Sequence, residues 1–253
     1  MRPCDRLSDR VEDYVRFRPS YPAGVFDALA RDAGWQPGQR VADIGSGTGI
    51  FAGLLLERGN TVFAVEPNHA MRAAAEKALG AHARFRSVKG EAEATTLAGA
   101  SVGGVTAAQA FHWFHRPAAR GEFQRILRPG GWLAIIWNNR LTDTTPFLRA
   151  YEQALLDWSV DYSLVKESNP AGAGIAEFFA PAPVHTSEFE NFQRFDWDGL
   201  LGRSMSSSYA PRPGHARHDR LAAELRRIFE EHQRNGEVRF EYRTVVYAGR
   251  LGR

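Results

Sequence analysis

The residues with the clearest chemical capability lie between Asp43 and Glu66. Three glycines at alternate positions, Gly45, Gly47 and Gly49, follow the short apolar run Val41, Ala42, Asp43 and Ile44. Ser46 and Thr48 stand between the glycines, and Glu66 ends a β-branched and aromatic run from Thr61 to Val65. A glycine lets the backbone approach a ligand where any Cβ would clash. A carboxylate at a strand end can accept from both hydroxyls of a ribose, and such charge-assisted bonds are worth roughly 1.5–3 kcal/mol each. The two features together point to a nucleoside ligand. Further along, the run Gln109-Ala110-Phe111-His112-Trp113 sets an imidazole among apolar and aromatic residues. Its ordinary pKa of about 6.5 suits it to move a proton near neutrality.

These residues need elements to position them. Val41–Ile44 reads as a buried strand. Phe51, Leu54, Leu55 and Arg58 recur at helical spacing, Gly59 stops that helix, and Thr61–Val65 is a second strand. This is half of a doubly wound α/β sheet, where ligands sit at the carboxyl ends of strands near the reversal of strand order. The same punctuation continues. Helices are expected over 22–34, after Pro67-Asn68 up to Gly80, and over 117–127. Further strands are expected at 84–88, 104–109 and 132–137, with a turn at 128–131 before the last of these. Beyond residue 140 the pattern suggests a helix over 146–158, a loop at 169–174, a strand within 184–197 and a short helix within 199–209. A helix capped by Asp219 and a strand over 238–248 follow. We expect one α/β domain over 1–253, a Rossmann-like, doubly wound, seven-stranded and mostly parallel sheet with a helical cap. Its parts would be a lid and first helix (1–34), a cofactor-binding core (35–140), a cap and substrate region (141–215) and a final helix and strand (216–253).

The run Asp43-Ile44-Gly45-Ser46-Gly47-Thr48-Gly49 resembles motif I of the class I S-adenosylmethionine-dependent methyltransferases. Its third glycine falls one residue earlier than in the dinucleotide pattern G-x-G-x-x-G, and position 50 is Ile. Leu127-Arg128-Pro129-Gly130-Gly131 resembles a second signature of the family. Tyr14-x-x-x-Arg18-Pro19-x-Tyr21-Pro22 resembles the N-terminal segment of a branch that includes trans-aconitate methyltransferase-like proteins. The resemblance implies S-adenosyl-L-methionine as cofactor and S-adenosyl-L-homocysteine as product. It implies that Asp43, Gly45, Ser46, Gly47, Thr48 and Gly49 form the cofactor cradle and that Glu66, followed by Pro67, holds the ribose. Glu91 and the Ala92 N–H would bracket the adenine, and Gln109 and Ala110 would line the methionine portion. In one reading of the N-terminal segment Arg18 meets the methionyl carboxylate and Tyr14 closes over the sulfonium; in the other, the aromatics pack a helix on the core. His112 is a candidate catalytic base, an orienting group for the acceptor, or a pocket-shaping residue held by local hydrogen bonds. Trp113 and Asn138 would face the substrate, with Asn139 and Arg140 close by. Glu93 is expected to bond nearby backbone. The acid that usually precedes the fourth strand is missing at Val102-Gly103-Gly104, where an effect on stability is expected.

Composition narrows the classes. With 32 basic and 29 acidic side chains the net charge is only +3, which gives no ground for a nucleic-acid partner. The single cysteine, Cys4, can form no internal disulfide, and the pair His112 and His115 lacks the further ligands of a metal site. No apolar run approaches the length of a membrane span, and the first ten residues lack the apolar core of a signal peptide. The expectation is a cytoplasmic methyltransferase, monomer or homodimer, acting on a small-molecule acceptor, with a carboxylate or hydroxyl favoured and no membrane partner. The alternatives are a non-catalytic protein that binds S-adenosylmethionine or S-adenosylhomocysteine, and a nucleic-acid or protein methyltransferase. A dehydrogenase is a further alternative, against which the early third glycine argues.

Overall fold

Seven strands organise the chain: β1 (Arg40–Ile44), β2 (Thr61–Val65), β3 (Phe85–Val88), β4 (Val102–Ala108), β5 (Leu127–Arg140), β6 (Val184–Phe195) and β7 (Val238–Arg250). The structure, a computed structural model, describes residues 11–163 and 174–252, apart from the side chains of residues 12–14. The strands form one sheet in the order β3-β2-β1-β4-β5-β7-β6. The pairs from β3 to β5 are parallel, and β7 runs antiparallel to both of its neighbours. This is the expected doubly wound, mostly parallel sheet. Strand order reverses between β1 and β4, so the ligand crevice falls at their carboxyl ends.

Side-chain alternation distributes each strand between two cores. Along β1, Val41 joins one apolar cluster while Ala42 and Ile44 join the other. Along β5, Trp132, Ala134 and Ile136 face one way, and Leu133 and Ile135 the other. Strands buried on both faces carry continuous apolar runs, which made them legible. The first core is closed by α2 (Gly24–Ala33), α3 (Ile50–Glu57) and α4 (His69–Leu79), the second by α5 (Arg116–Ile126) and α7 (Ile175–Phe179). Asn68 starts α4 by accepting the Met71 N–H at 3.0 Å.

A third core lies beyond the carboxyl ends of β1 and β4. Phe147, Tyr151 and Leu155 of α6 (Pro146–Trp158), Leu200 of α8 (Trp197–Met205) and Leu221, Leu225 and Ile228 of α9 (His218–His232) surround Phe195, Val238, Phe240 and Tyr242. Arg140 pairs with Tyr242 and Phe195 with Val238, so this cap is built on extensions of β5, β6 and β7. The final helix therefore shares one core with α6 and α8. Asp219 does not cap that helix: Arg217 holds the cap position, and Asp219 lies in the first turn, where its charge complements the helix dipole.

The fourth strand begins two residues earlier than its sequence suggests, because Val102 pairs with Leu127. The next registered pair is Gly104 with Trp132, so the expected turn at 128–131 persists as a bulge within β5, with Gly130 at φ 75°. Gly104 has a packing reason. A Cβ there would fall inside the Trp132 ring, which is 2% exposed and donates its indole N–H to Gln39 Oε1 at 2.9 Å. Gly104→Ala is expected to cost about 1–3 kcal/mol through overpacking. The readout is a lower urea midpoint with unchanged slope; a midpoint equal to wild type contradicts this packing.

Candidate active site

The glycine turn leaves β1 with Gly45, Gly47 and Gly49 at φ 66°, 55° and 86°, the left-handed region that favours glycine. A Cβ at Gly45 would lie 2.6 Å from Ala110 Cβ, and one at Gly49 2.7 Å from Leu79 Cδ1. Those two glycines let the end of β4 and helix α4 close onto the turn. Gly47 differs: a Cβ there would meet no atom within 4 Å. Its bare face opens onto free space beside Glu66.

Glu66 is 7% exposed at the end of β2. Its Oε2 accepts the Gly47 N–H at 2.9 Å and its Oε1 accepts the Asn68 N–H at 2.8 Å. Arg72 donates to the Glu66 carbonyl at 3.1 Å. Burial raises the carboxyl above its ordinary value, and the two N–H donors and Arg72 oppose it. Each carboxylate oxygen keeps acceptor capacity for a further hydroxyl. The preceding strand buries Asp43, whose Oδ1 accepts the Thr106 hydroxyl at 2.7 Å. Asp43 Oδ2, Ser46 Oγ and Thr48 Oγ1 are buried without a hydrogen-bond partner. Unsatisfied buried polar atoms cost about 1–3 kcal/mol each. Three of them around one turn mark a place for a polar ligand.

The opposite wall comes from the end of β4. Gln109 takes a left-handed conformation, φ 58°, which is uncommon outside glycine. Its Nε2 donates to the Asn138 carbonyl at 3.1 Å, and its N–H donates to the Ile136 carbonyl at 2.9 Å. Phe111–Trp113 then forms one tight helical turn. Phe111 is buried against Phe114, Trp137 and Phe178, which anchors His112 beside it. His112 Nδ1 is buried and unpartnered, so no local bond of that nitrogen explains the residue. Burial pushes the imidazole down to about 4. It is neutral at physiological pH and a weak base. Trp113 packs 4.6 Å from the His112 ring and is 49% exposed. On the β3 side Glu91 is exposed, bridged through its backbone to Ala94, and Ala92 is buried. Glu93 accepts the His115 N–H at 2.6 Å, as expected of a partner to nearby backbone.

Asn138 does not offer a free side chain. Its Nδ2 donates to the Ser20 carbonyl at 3.2 Å, and its Oδ1 accepts from Thr244 Oγ1 at 2.5 Å and Asn191 Nδ2 at 3.1 Å. It works with Asn191 and Gln193, which donate to the carbonyls of Ser20 and Phe17. These three amides strap the N-terminal segment onto β5 and β6. Helix α1 (Val11–Phe17) contacts both α4 and α8, so it lies across the carboxyl ends of the sheet, with Phe17 covering Gly202. Arg18 follows it and donates to the Ser206 carbonyl at 3.4 Å. Tyr14 belongs to α1, but its side chain lies outside the described residues, as do Cys4 and most of the expected loop at 169–174.

Sequence reasoning named Arg140 beside the substrate but missed the polar interior of the cap to which it belongs. Arg140 pairs with Glu152 and also donates to the Tyr162 hydroxyl at 2.6 Å. Arg203 is 5% exposed and donates to Ser207 Oγ at 3.2 Å and Tyr242 Oη at 3.4 Å. One signal was present: Leu200, Arg203, Ser204 and Ser207 recur at helical spacing, so the apolar stripe of α8 carries an arginine on its buried side.

Asp43 and His112 act oppositely on stability. Burial, with Glu66 adding its charge, pushes Asp43 up to about 7 against the Thr106 bond. Between about 4 and 7 the folded ligand-free protein therefore binds the extra proton, and stability falls as pH rises. For His112 the unfolded chain binds the extra proton between about 4 and 6.5, and stability rises with pH. The two slopes largely cancel in the wild type. In Asp43→Asn, melting over this range should show stability climbing with pH; in His112→Asn it should fall. Matching profiles for the two variants contradict the assignment.

Among the described residues no group of His, Cys, Asp and Glu is arranged to hold a metal ion, and no helix is long and apolar enough to cross a membrane. An open cleft of about 290 Å³ lined by Gln39, Arg40, Arg128 and Arg250 lies at the amino ends of β1 and β4, away from the glycine turn.

Comparison with known proteins agrees with this geometry. A family described as a methyltransferase domain matches residues 42–135, from the middle of β1 into β5. An uncharacterized methyltransferase of Mycobacterium tuberculosis (strain ATCC 25618 / H37Rv) is 41% identical over 130 residues, 51% of each chain. The chain thus spans about half the length of the curated relatives it matches. A structure from Anaeromyxobacter dehalogenans, assigned as a type II methyltransferase, superposes with a TM-score of 0.69 at 27% identity, over 93% of this chain and 98% of that one. Phosphoethanolamine N-methyltransferase 2 of Haemonchus contortus, solved with S-adenosyl-L-methionine, shares the fold at a TM-score of 0.59 and 14% identity, over 99% of this chain and 59% of that one. Residues 42–135 thus carry a methyltransferase domain, and the sheet has the fold of the class I, S-adenosylmethionine-dependent methyltransferases.

Proposed function

We propose that the chain transfers the methyl group of S-adenosyl-L-methionine to an oxygen of a small-molecule acceptor. The observation that carries this reading is the open face of Gly47 beside Glu66, with Asp43, Ser46 and Thr48 holding unsatisfied buried polar atoms around it. These residues fit the cofactor. Glu66 would take the ribose hydroxyls, the Gly45–Gly49 turn the methionine backbone, and Glu91 and Ala92 the adenine. Gln109 and Ala110 would line the methionine chain, with Arg18 near its carboxylate. The bound cofactor supplies an electrophilic methyl on a sulfonium.

The protein's part is alignment and exclusion of water. Its walls must hold the acceptor atom about 3–3.5 Å from the methyl and in line with it. The strapped N-terminal segment and the cap shield that approach, which strengthens electrostatics inside. Trp113 can present a face to a cationic centre, worth about 0.5–2 kcal/mol. His112, neutral and depressed to about 4, suits an orienting role better than proton abstraction. That favours a carboxylate acceptor, which has no proton to lose. The small net charge supports a small-molecule acceptor over nucleic acid.

The test is incubation with methyl-labelled S-adenosylmethionine and a panel of carboxylic acids and alcohols. Label appearing in methyl esters, with one S-adenosylhomocysteine per methyl, is expected. Full cofactor binding with no transfer to any acceptor would favour the non-catalytic binding protein.

A further inference from the structure

The cap encloses a positive site that its described residues leave incompletely neutralised. Arg203 is bonded to two hydroxyls and lies 5.9 Å from the Phe240 ring centre. Among the described residues it forms no ion pair, and its Nη2 makes no hydrogen bond. Arg140 has one carboxylate, Glu152, and its Nη1 is buried without a partner. Its guanidinium stands 5.0 Å from the Tyr151 ring centre. Burying a cation without a counter-charge is costly. Tyr209 reports the resulting field. Burial alone would raise its phenol, but Arg203 and Arg140, helped by a Ser207 bond and Arg18, hold it below its ordinary value. Tyr209 packs 4.8 Å from Tyr162, which donates to Glu152 at 2.7 Å, so the hydroxyls and guanidiniums form one cluster.

The cluster adjoins the transfer site. Arg140 follows Asn138 by two residues on β5, a rise of about 7 Å, and the Asn138 carbonyl is bonded by Gln109. Arg18, the residue after the Phe17 carbonyl that Gln193 binds, reaches the same cluster through Ser206. Guanidiniums suit a planar carboxylate or a phosphate.

Resting on the methyl-transfer reading, we propose that Arg140, Arg203 and Tyr209 bind an anionic group of the acceptor, a carboxylate or phosphate distinct from the atom that takes the methyl. The distinction is chemical. An oxygen held by two guanidiniums has its lone pairs engaged and its charge offset, so it is a poor nucleophile. A second oxygen attacks instead: its bond to the methyl carbon forms as the sulfur–carbon bond breaks, and that electron pair stays on sulfur. Where this oxygen belongs to a carboxylate, it ends as a neutral ester and no proton moves. The anchored group keeps its charge throughout, so acceptors with two separated polar functions, one of them anionic, are selected.

The test is calorimetric titration of the wild-type protein saturated with S-adenosylhomocysteine, using benzoate, glutarate and inorganic phosphate, with benzamide and glutaramide as neutral counterparts. At least one anion should bind, and the amides should bind at least tenfold more weakly. Carboxylates alone, phosphate alone, or both identify the anchored group, and each supports the site. Binding of the favoured anion should fall at least tenfold in Arg203→Gln and partly recover in Arg203→Lys, with S-adenosylhomocysteine affinity unchanged. If Arg203→Gln does not fold, the wild-type comparison of anion with amide decides. No anion binding, equal binding of the amides, or undiminished binding in a folded Arg203→Gln overturns the anchor while the methyl-transfer reading stands. Failure of S-adenosylhomocysteine itself to bind removes the reading on which the anchor rests and overturns it for that separate reason.

Discussion

Glu66→Ala should weaken S-adenosylhomocysteine binding at least tenfold and destabilise the ligand-free turn at the same time. Both effects follow from one carboxylate. In the folded chain it accepts the Gly47 and Asn68 N–H groups, and it is 7% exposed. Alanine leaves those donors without an acceptor in a buried setting, at about 1–3 kcal/mol apiece if water cannot reach them. It also removes the acceptor for the ribose, where a charged bond contributes roughly 1.5–3 kcal/mol, or about tenfold or more in affinity. Glu66→Gln separates the effects. Its carbonyl oxygen can still accept one of the two N–H groups, so part of the stability should return, but the charge and one acceptor are gone and binding should stay weak. Calorimetry gives the affinity and thermal melting the stability. Wild-type affinity in a folded Glu66→Ala protein contradicts the ribose role.

The second large effect is expected far from the glycine turn. Glu152→Ala should cost about 3–5 kcal/mol, the range for breaking a buried ion pair by removing one partner. Side chains of Arg140 and Glu152 are each 11% exposed, and Tyr162 donates to the same carboxylate oxygen. Without Glu152, the cap holds Arg140 and Arg203 with no acid paired to either among the described residues. Most of the loss should be the strandedness of Arg140, so Arg140→Met combined with Glu152→Leu should melt close to wild type. Melting of both variants checks this. A double variant as unstable as Glu152→Ala means the loss comes from packing, and a stable Glu152→Ala means that the pair contributes little.

Local patterns were legible where neighbours in sequence decide the structure. The glycines and the strand-end Glu66 are read from punctuation and periodicity, and the apolar runs of β1, β2 and β4 follow from burial on both faces. Features set by distant partners were not. The early start of β4 depends on Val102 meeting Leu127, and the need for glycine at 104 depends on the Trp132 ring. Asn138 looked like a substrate contact because it ends a strand beside the site. Its amide instead meets Ser20, Asn191 and Thr244, residues that only the folded sheet brings to it. Little in the sequence singled out Arg203, since no local rule foretells an arginine buried among hydroxyls under the cap. The neutral state of His112 likewise arises from burial by the fold.

The glycine turn and Glu66 are expected to hold S-adenosylmethionine. The most direct measurement is calorimetric titration of the protein with S-adenosylmethionine, S-adenosylhomocysteine and NADH in parallel. Saturable binding of the first two and none of NADH is the predicted result. Binding of NADH alone, or of none of the three, contradicts it.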